Sequence, residues 1–157
     1  MAISTIGSAG LATGGVGRTN MYAGAVLQVV NATYATSTTT ASTAYSSTGL
    51  TASITPTSAS SKILVLVSCV TYTNGNTRGI SMQLARGATT VWGNTGAYVS
   101  YGGSSTVVST FSLNYLDSPA TTSSTTYTLK FAAPDSATVT VQWDNQTSVM
   151  TLMEISA

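Results

Sequence analysis

The sequence has no histidine, one cysteine and very little charge: 6% of residues are charged, against roughly 25% in an average soluble chain. Each shortage excludes something. Without histidine the usual general base is missing, and the acids number only four, Asp117, Asp135, Asp144 and Glu154. Proton-transfer groups are too few to suggest an enzyme. No serine sits in a nucleophile elbow, and none has a histidine to activate it. Cys69 has no second cysteine to pair with inside the chain, and zinc would lack its ligands. Asp135 and Asp144 stand at the two ends of one predicted strand and read as turn formers rather than calcium ligands. Gly15-Val16-Gly17 runs into Arg18-Thr19-Asn20 with no strand before it, so the dinucleotide fingerprint is incomplete. No cofactor or metal is therefore expected.

The five cations, Arg18, Lys62, Arg78, Arg86 and Lys130, are scattered singly. Nucleic acid would need them clustered to neutralise phosphates. No apolar run reaches the roughly 18 residues of a membrane-spanning helix, and residues 1–20 lack the basic start and apolar stretch of a secretory leader. Neither membrane insertion nor export is expected. The matches Asn31-Ala32-Thr33 and Asn145-Gln146-Thr147 to the glycosylation pattern are common by chance in a Thr-rich chain.

What the chain does contain is Ser and Thr, about a third of its residues, within 157 residues that are 43% hydrophobic. That is enough for one domain with its own core and too apolar for wholesale disorder. Residues 1–24 hold six of the fourteen glycines and show no sustained period. They read as an arm ordered against a partner or as a disordered leader. If an arm, Ile3, Ile6, Leu11 and Val16 are the side chains expected to fill partner pockets.

From Ala25 onward the pattern is β. Val26–Val30 is a β-branched run. Residues 33–48 read as a Thr-covered strand or as an irregular loop. Leu50, Ala52 and Ile54 alternate with Thr51, Ser53 and Thr55 until Pro56, which cannot donate to a ladder. Residues 62–72 are apolar on both faces, as in a strand covered on both sides. Asn74-Gly75-Asn76 predicts a hairpin into Ile80, Met82 and Leu84. Further alternating runs lie at 107–116, 126–131 and 139–143, and a last strand spans about 149–155. Eight to ten strands, no convincing helix and turns at roughly 8–12-residue spacing indicate an all-β protein, a single antiparallel β-sandwich and specifically a jelly roll, over residues 25–157.

Phe111, Tyr115, Tyr127, Phe131 and Trp143 fall on alternating positions and are expected in the core. Trp92, Tyr98 and Tyr101, in a Gly/Ser-rich region, are candidates for glycan stacking or for an interface. Scarce charge favours self-association, since a free monomer usually stays soluble through mixed surface charge.

Several stretches resemble the β-sandwich modules of tailed-bacteriophage appendages, of marine and cyanobacterial phage type. Gly24-Ala25-Val26-Leu27-Gln28-Val29-Val30 is similar to their opening strand. Residues 49–56 followed by 58–65 form the most specific match, and Leu116-Asp117-Ser118-Pro119 and Leu152-Met153-Glu154-Ile155 are weaker ones in the expected order. The resemblance covers residues 24–157. It implies a homotrimer with tumour-necrosis-factor-like architecture and a place on a virion, assembled in the host cytoplasm. The implied partners are two further copies, plus a major capsid, tail or baseplate protein of the same particle. Only about 24 residues precede the module, fewer than in long fibres, which favours a capsid decoration protein over a short tail fibre contacting host polysaccharide. A free carbohydrate-binding module is the rival from another class.

Overall fold

The computed structural model describes residues 23–74, 79–93, 98–101 and 105–157. They form ten strands: β1 (Val26–Tyr34), β2 (Thr38–Thr40), β3 (Ser46–Ile54), β4 (Lys62–Thr73), β5 (Ser81–Arg86), β6 (Thr89–Gly93), β7 (Val107–Asp117), β8 (Thr125–Ala132), β9 (Val139–Val141) and β10 (Ser148–Ile155). Among the described residues there is no α-helix, and none long and apolar enough to cross a membrane. Residues 1–22, with Ile3, Ile6, Leu11 and Val16, lie outside the description.

The protein is an all-β sandwich of two antiparallel sheets, one with β1-β10-β4-β9-β2 and β7 beside β4, the other with β3-β8-β5-β6. In the first sheet, β1 pairs with β10 and β2 with β9, while β4 meets β10 along one stretch and β9 along the next. Thus β1–β2 and β9–β10 are two interrupted lines, and the sheet is four strands wide, as is the second. Between the sheets lies one core, with Leu50, Ile63, Val65, Leu84, Tyr127, Leu129, Phe131, Met150 and Leu152 fully buried. The alternating runs explain this directly, because successive side chains of a strand point to opposite faces. Cys69 joins the core at 1% exposure, and burial pushes its thiol up in pKa.

Residues 33–48 divide between the two readings of the sequence: β1 continues to Tyr34, a short β2 follows, and β3 begins at Ser46. Gly49 sits at φ +89 where the β3–β8 register shifts, and a side chain there would run into the Tyr34 ring. Only glycine meets both conditions.

Two expectations require correction. No hairpin joins β4 to β5. Residues 75–78 lie outside the description, but β5 belongs to the opposite sheet, between β8 and β6. Both edges of β4 are already taken, by β10 and β9 on one side and β7 on the other, so the chain must cross the sandwich. Nor is Trp143 in the core. Val139 and Val141 are buried as expected, but Gln142 then enters the left-handed region at φ 51 and is itself fully buried, while Trp143 turns out to 36% exposure.

Candidate functional site

The two outer faces of the sandwich differ in chemistry. On the first sheet, inward Ile63, Val65, Leu152 and Glu154 fix the outward set by alternation. The register then aligns Val29, Met153, Leu64 and Leu116 in one row across all four strands. The next row is Asn31, Thr151, Leu66 and Asn114, and the third is Thr33, Val149, Ser68 and Ser112. None of these twelve side chains is charged; Lys62 lies at the end of the sheet, beside Ile155. Val29 is 56% exposed and Leu116 50%. Val26, at the start of β1, is exposed as well. An aliphatic row spanning a whole sheet is what soluble monomers avoid.

At the other end of β4, Tyr72 pairs with Val108 of β7, which is also exposed. Trp143 lies flat on Tyr72, with ring centroids 3.7 Å apart and planes 8° from parallel. A short excursion between β9 and β10 delivers it there. Gln142, Asp144 and Asn145 all have positive φ, 51°, 55° and 55°, without any being glycine. The Gln142 amide, oriented to satisfy both its ends, donates to the Thr48 and Val141 carbonyls and accepts from Ser148 Oγ. Asn145 Oδ1 accepts from the Ser37 amide at 3.2 Å. These bonds hold the excursion in place.

Two buried acids tie the sandwich together. Glu154 has no solvent exposure and accepts hydrogen bonds from the Thr57 amide (2.7 Å), Thr57 Oγ1 (2.6 Å) and Gln28 Nε2 (2.6 Å). The Ser61 hydroxyl also faces it, outside good hydrogen-bond geometry. Burial pushes the carboxyl up in pKa, but the bonds from Thr57 and Gln28 outweigh it and bring it down to about 2. Glu154 therefore pins the β3–β4 loop and β1 to β10. Asp117 Oδ2 accepts from Arg86 Nη1 and from the Tyr127 hydroxyl, both at 2.7 Å, and so links the sheets. Burial first, then the neighbouring Asp117, raises the Tyr127 pKa. Each acid accepts at least two hydrogen bonds and has a structural place.

The aromatic candidates are only partly brought together. Tyr98 and Tyr101 are exposed side by side, with ring centroids 5.7 Å apart, and the Tyr98 hydroxyl donates to Asp135 at 2.7 Å. Trp92 instead packs against the core beside Phe111. Sequence reasoning missed the aliphatic row and the Tyr72–Trp143 stack. The signal for the row was present in the two-sided apolarity of residues 62–72. The stack left none, because nothing in Val141-Gln142-Trp143 announces a left-handed residue.

Compared with protein families and with curated proteins, the chain matches none.

Proposed function

We propose that the protein is a non-enzymatic structural component of a tailed-phage virion. In this reading it is a homotrimer whose sandwich is a jelly roll and whose N-terminal arm attaches it to the particle. The observation that carries the trimer is the uncharged aliphatic row Val29, Met153, Leu64 and Leu116. Around a threefold axis each residue approaches its own copies, so a charge near the axis would repel itself three times over. The row has no charge to repel. The face also has room clear of the Tyr72–Trp143 stack: residues 62–68 of β4, where β10 pairs with it, and the aligned stretches of the other three strands, at about 3.4 Å per residue and about 4.8 Å between strands, cover several hundred Å², roughly half of one partner's share of a standard interface.

The jelly-roll reading is supported by strand order. Setting aside the short β2 and β9, the eight remaining strands run first, eighth, third and sixth in one sheet and second, seventh, fourth and fifth in the other. Two Greek keys produce that order. The virion assignment rests on the resemblance of residues 24–157, with capsid decoration and a short tail fibre as the two locations to be told apart.

Native mass measurement and light scattering on the purified chain test the trimer. A clean monomer at micromolar concentration overturns it and counts heavily against the virion reading, whose resemblance implies a trimer. In particles, copy number separates the two locations: hundreds place the protein on the head, and a few dozen or fewer on the tail.

A further inference from the structure

We propose that the Tyr72–Trp143 stack is a binding platform for a neutral saccharide, with the indole as the surface on which one pyranose ring lies. The proposal does not rest on the trimer or on the virion.

The first ground is an exchange that the core does not explain. Along Val139, Val141 and Trp143 the alternation would bury the tryptophan. The chain instead buries Gln142 completely and turns Trp143 out to 36% exposure. Moving a large aromatic out and an amide in reverses the usual preference. It also requires non-glycine residues in the left-handed region at 142, 144 and 145, each of which costs free energy. The hydrogen bonds of Gln142 to Thr48, Val141 and Ser148, and of Asn145 to Ser37, hold this arrangement. Strain held by so many bonds, with nothing gained in the core, points to a use for the exposed ring.

The second ground is the shape and rim of that ring. Trp143 is parallel to Tyr72 and flat against it, so one face of the indole is backed by an aromatic and fixed. A flat, immobilised π-face attracts the weakly positive C–H bonds on one side of a pyranose. The polar groups around it are those that bond sugar hydroxyls. Gln146 and Thr147 follow on the exposed excursion, and Thr110 projects outward from β7 two residues from Val108, the partner of Tyr72. Asp144 is the nearest charge in sequence, and of the described cations Lys62 lies at the opposite end of β4 while Arg86 and Lys130 belong to the other sheet. Among the described residues an anionic sugar would meet no counter-charge at the stack, and Asp144 beside Trp143 would repel it, so the class selected is neutral. A protein partner would be better matched by the aliphatic row, which starts at Leu64, eight residues and about 27 Å along β4 from Tyr72.

The test uses the full chain and a panel of neutral oligosaccharides, namely maltohexaose, cellohexaose, mannohexaose and chitotetraose, with hexagalacturonate as the anionic control. Binding is followed by titration calorimetry. It is also followed by tryptophan emission in a Trp92→Phe background, where Trp143 is the remaining tryptophan of the two. At least one neutral sugar should bind at millimolar concentration or tighter and shift the Trp143 emission, with the anionic control weaker. Trp143→Ala should weaken binding at least about tenfold, Trp143→Tyr should keep most of it, and both variants should retain the wild-type circular-dichroism spectrum. Silence from every neutral sugar overturns the proposal, as does binding that survives Trp143→Ala. If instead Trp143→Ala lowers the oligomer mass and no sugar binds, the ring is a protein contact and the proposal fails. A monomer that still binds sugar through Trp143 would sink the trimer and leave the platform standing.

Discussion

The outer faces of the two sheets share a backbone plan and carry opposite surfaces. On the β3-β8-β5-β6 sheet the outward positions of β3 and β8 are Thr51 and Ser53, Thr126, Thr128 and Lys130, and the hydroxyls bond across the strands, Ser53 to Thr126 at 2.7 Å and Thr51 to Thr128 at 3.4 Å. On the other sheet the corresponding positions begin with Val29, Met153, Leu64 and Leu116. Thr and Val are nearly the same shape and equally at home in a strand, so folding the sandwich does not demand the difference. In the proposed trimer the hydroxyl face meets water and the aliphatic row is the side that is covered. Apolar content spread over both faces would have said only that the chain is hydrophobic; its confinement to one face identifies a surface.

The sharpest way to break the comparison is to place one charge on each face. Leu64→Lys should dissociate the proposed trimer at least about 100-fold, because leaving an uncompensated charge buried costs about 3–5 kcal/mol and the symmetry repeats it in every copy. Thr128→Lys on the opposite face should leave the mass unchanged. Sedimentation equilibrium reads both. Equal behaviour of the two variants would mean that the aliphatic row is not an interface.

Inside the sandwich the faces should not differ, and the aromatics calibrate this. Phe131→Ala should cost about 3–5 kcal/mol, as for a large aromatic removed from a core. Trp143→Ala should cost only about 1 kcal/mol, since its ring is replaced by water on one side. Urea denaturation of both variants decides it, and a Trp143→Ala loss as large as that of Phe131→Ala would return the tryptophan to the core.

That contrast also marks how far the sequence was legible. Alternation in Leu50, Ala52 and Ile54, in Phe111 and Leu113, and in Tyr127, Leu129 and Phe131 identified strands and core because period two survives any arrangement of sheets. It could not say which strands pair. Asn74-Gly75-Asn76 carries the chemistry of a hairpin, yet β4 has no free edge to receive one. Trp143 was misplaced because a single left-handed residue, Gln142, shifts the alternation by one, and glutamine gives no hint of positive φ. The buried position of Glu154 was invisible because its donors, Gln28 and Thr57, are about a hundred or more residues away in sequence and are set by tertiary contact alone.

Glu154 supplies a pH test of the aliphatic side. Its carboxyl is more acidic folded, at about 2, than at the ordinary 4.5. The stabilisation is therefore complete above the unfolded value and is lost as pH falls from there toward the folded one, amounting to about 3 kcal/mol. Glu154→Gln should remove this part of the acid dependence and lower stability at neutral pH. Melting temperatures measured from pH 7 to about pH 2 should converge for the two proteins at the acid end. Parallel curves would show that Glu154 does not titrate with folding.

The smallest expected effect is on the hydrated face, and it asks whether apolarity alone makes an interface. Thr51→Val, Thr126→Val and Thr128→Val together would give the β3–β8 surface an aliphatic character like that of the opposite sheet. The volume and branching of each side chain are retained, and the hydroxyl bonds lost are exposed ones that water replaces. Stability should therefore change by less than about 0.5 kcal/mol per site. The mass in solution should also stay at the wild-type value, because an interface needs complementary shape and a packed centre as well as apolar area. The β3–β8 surface keeps Lys130 and Ser53, and no row on it is apolar across all four strands. Should the triple variant form discrete larger assemblies at micromolar concentration, apolarity would be sufficient by itself, and the inference from the Leu64 row to a specific trimer would lose its footing.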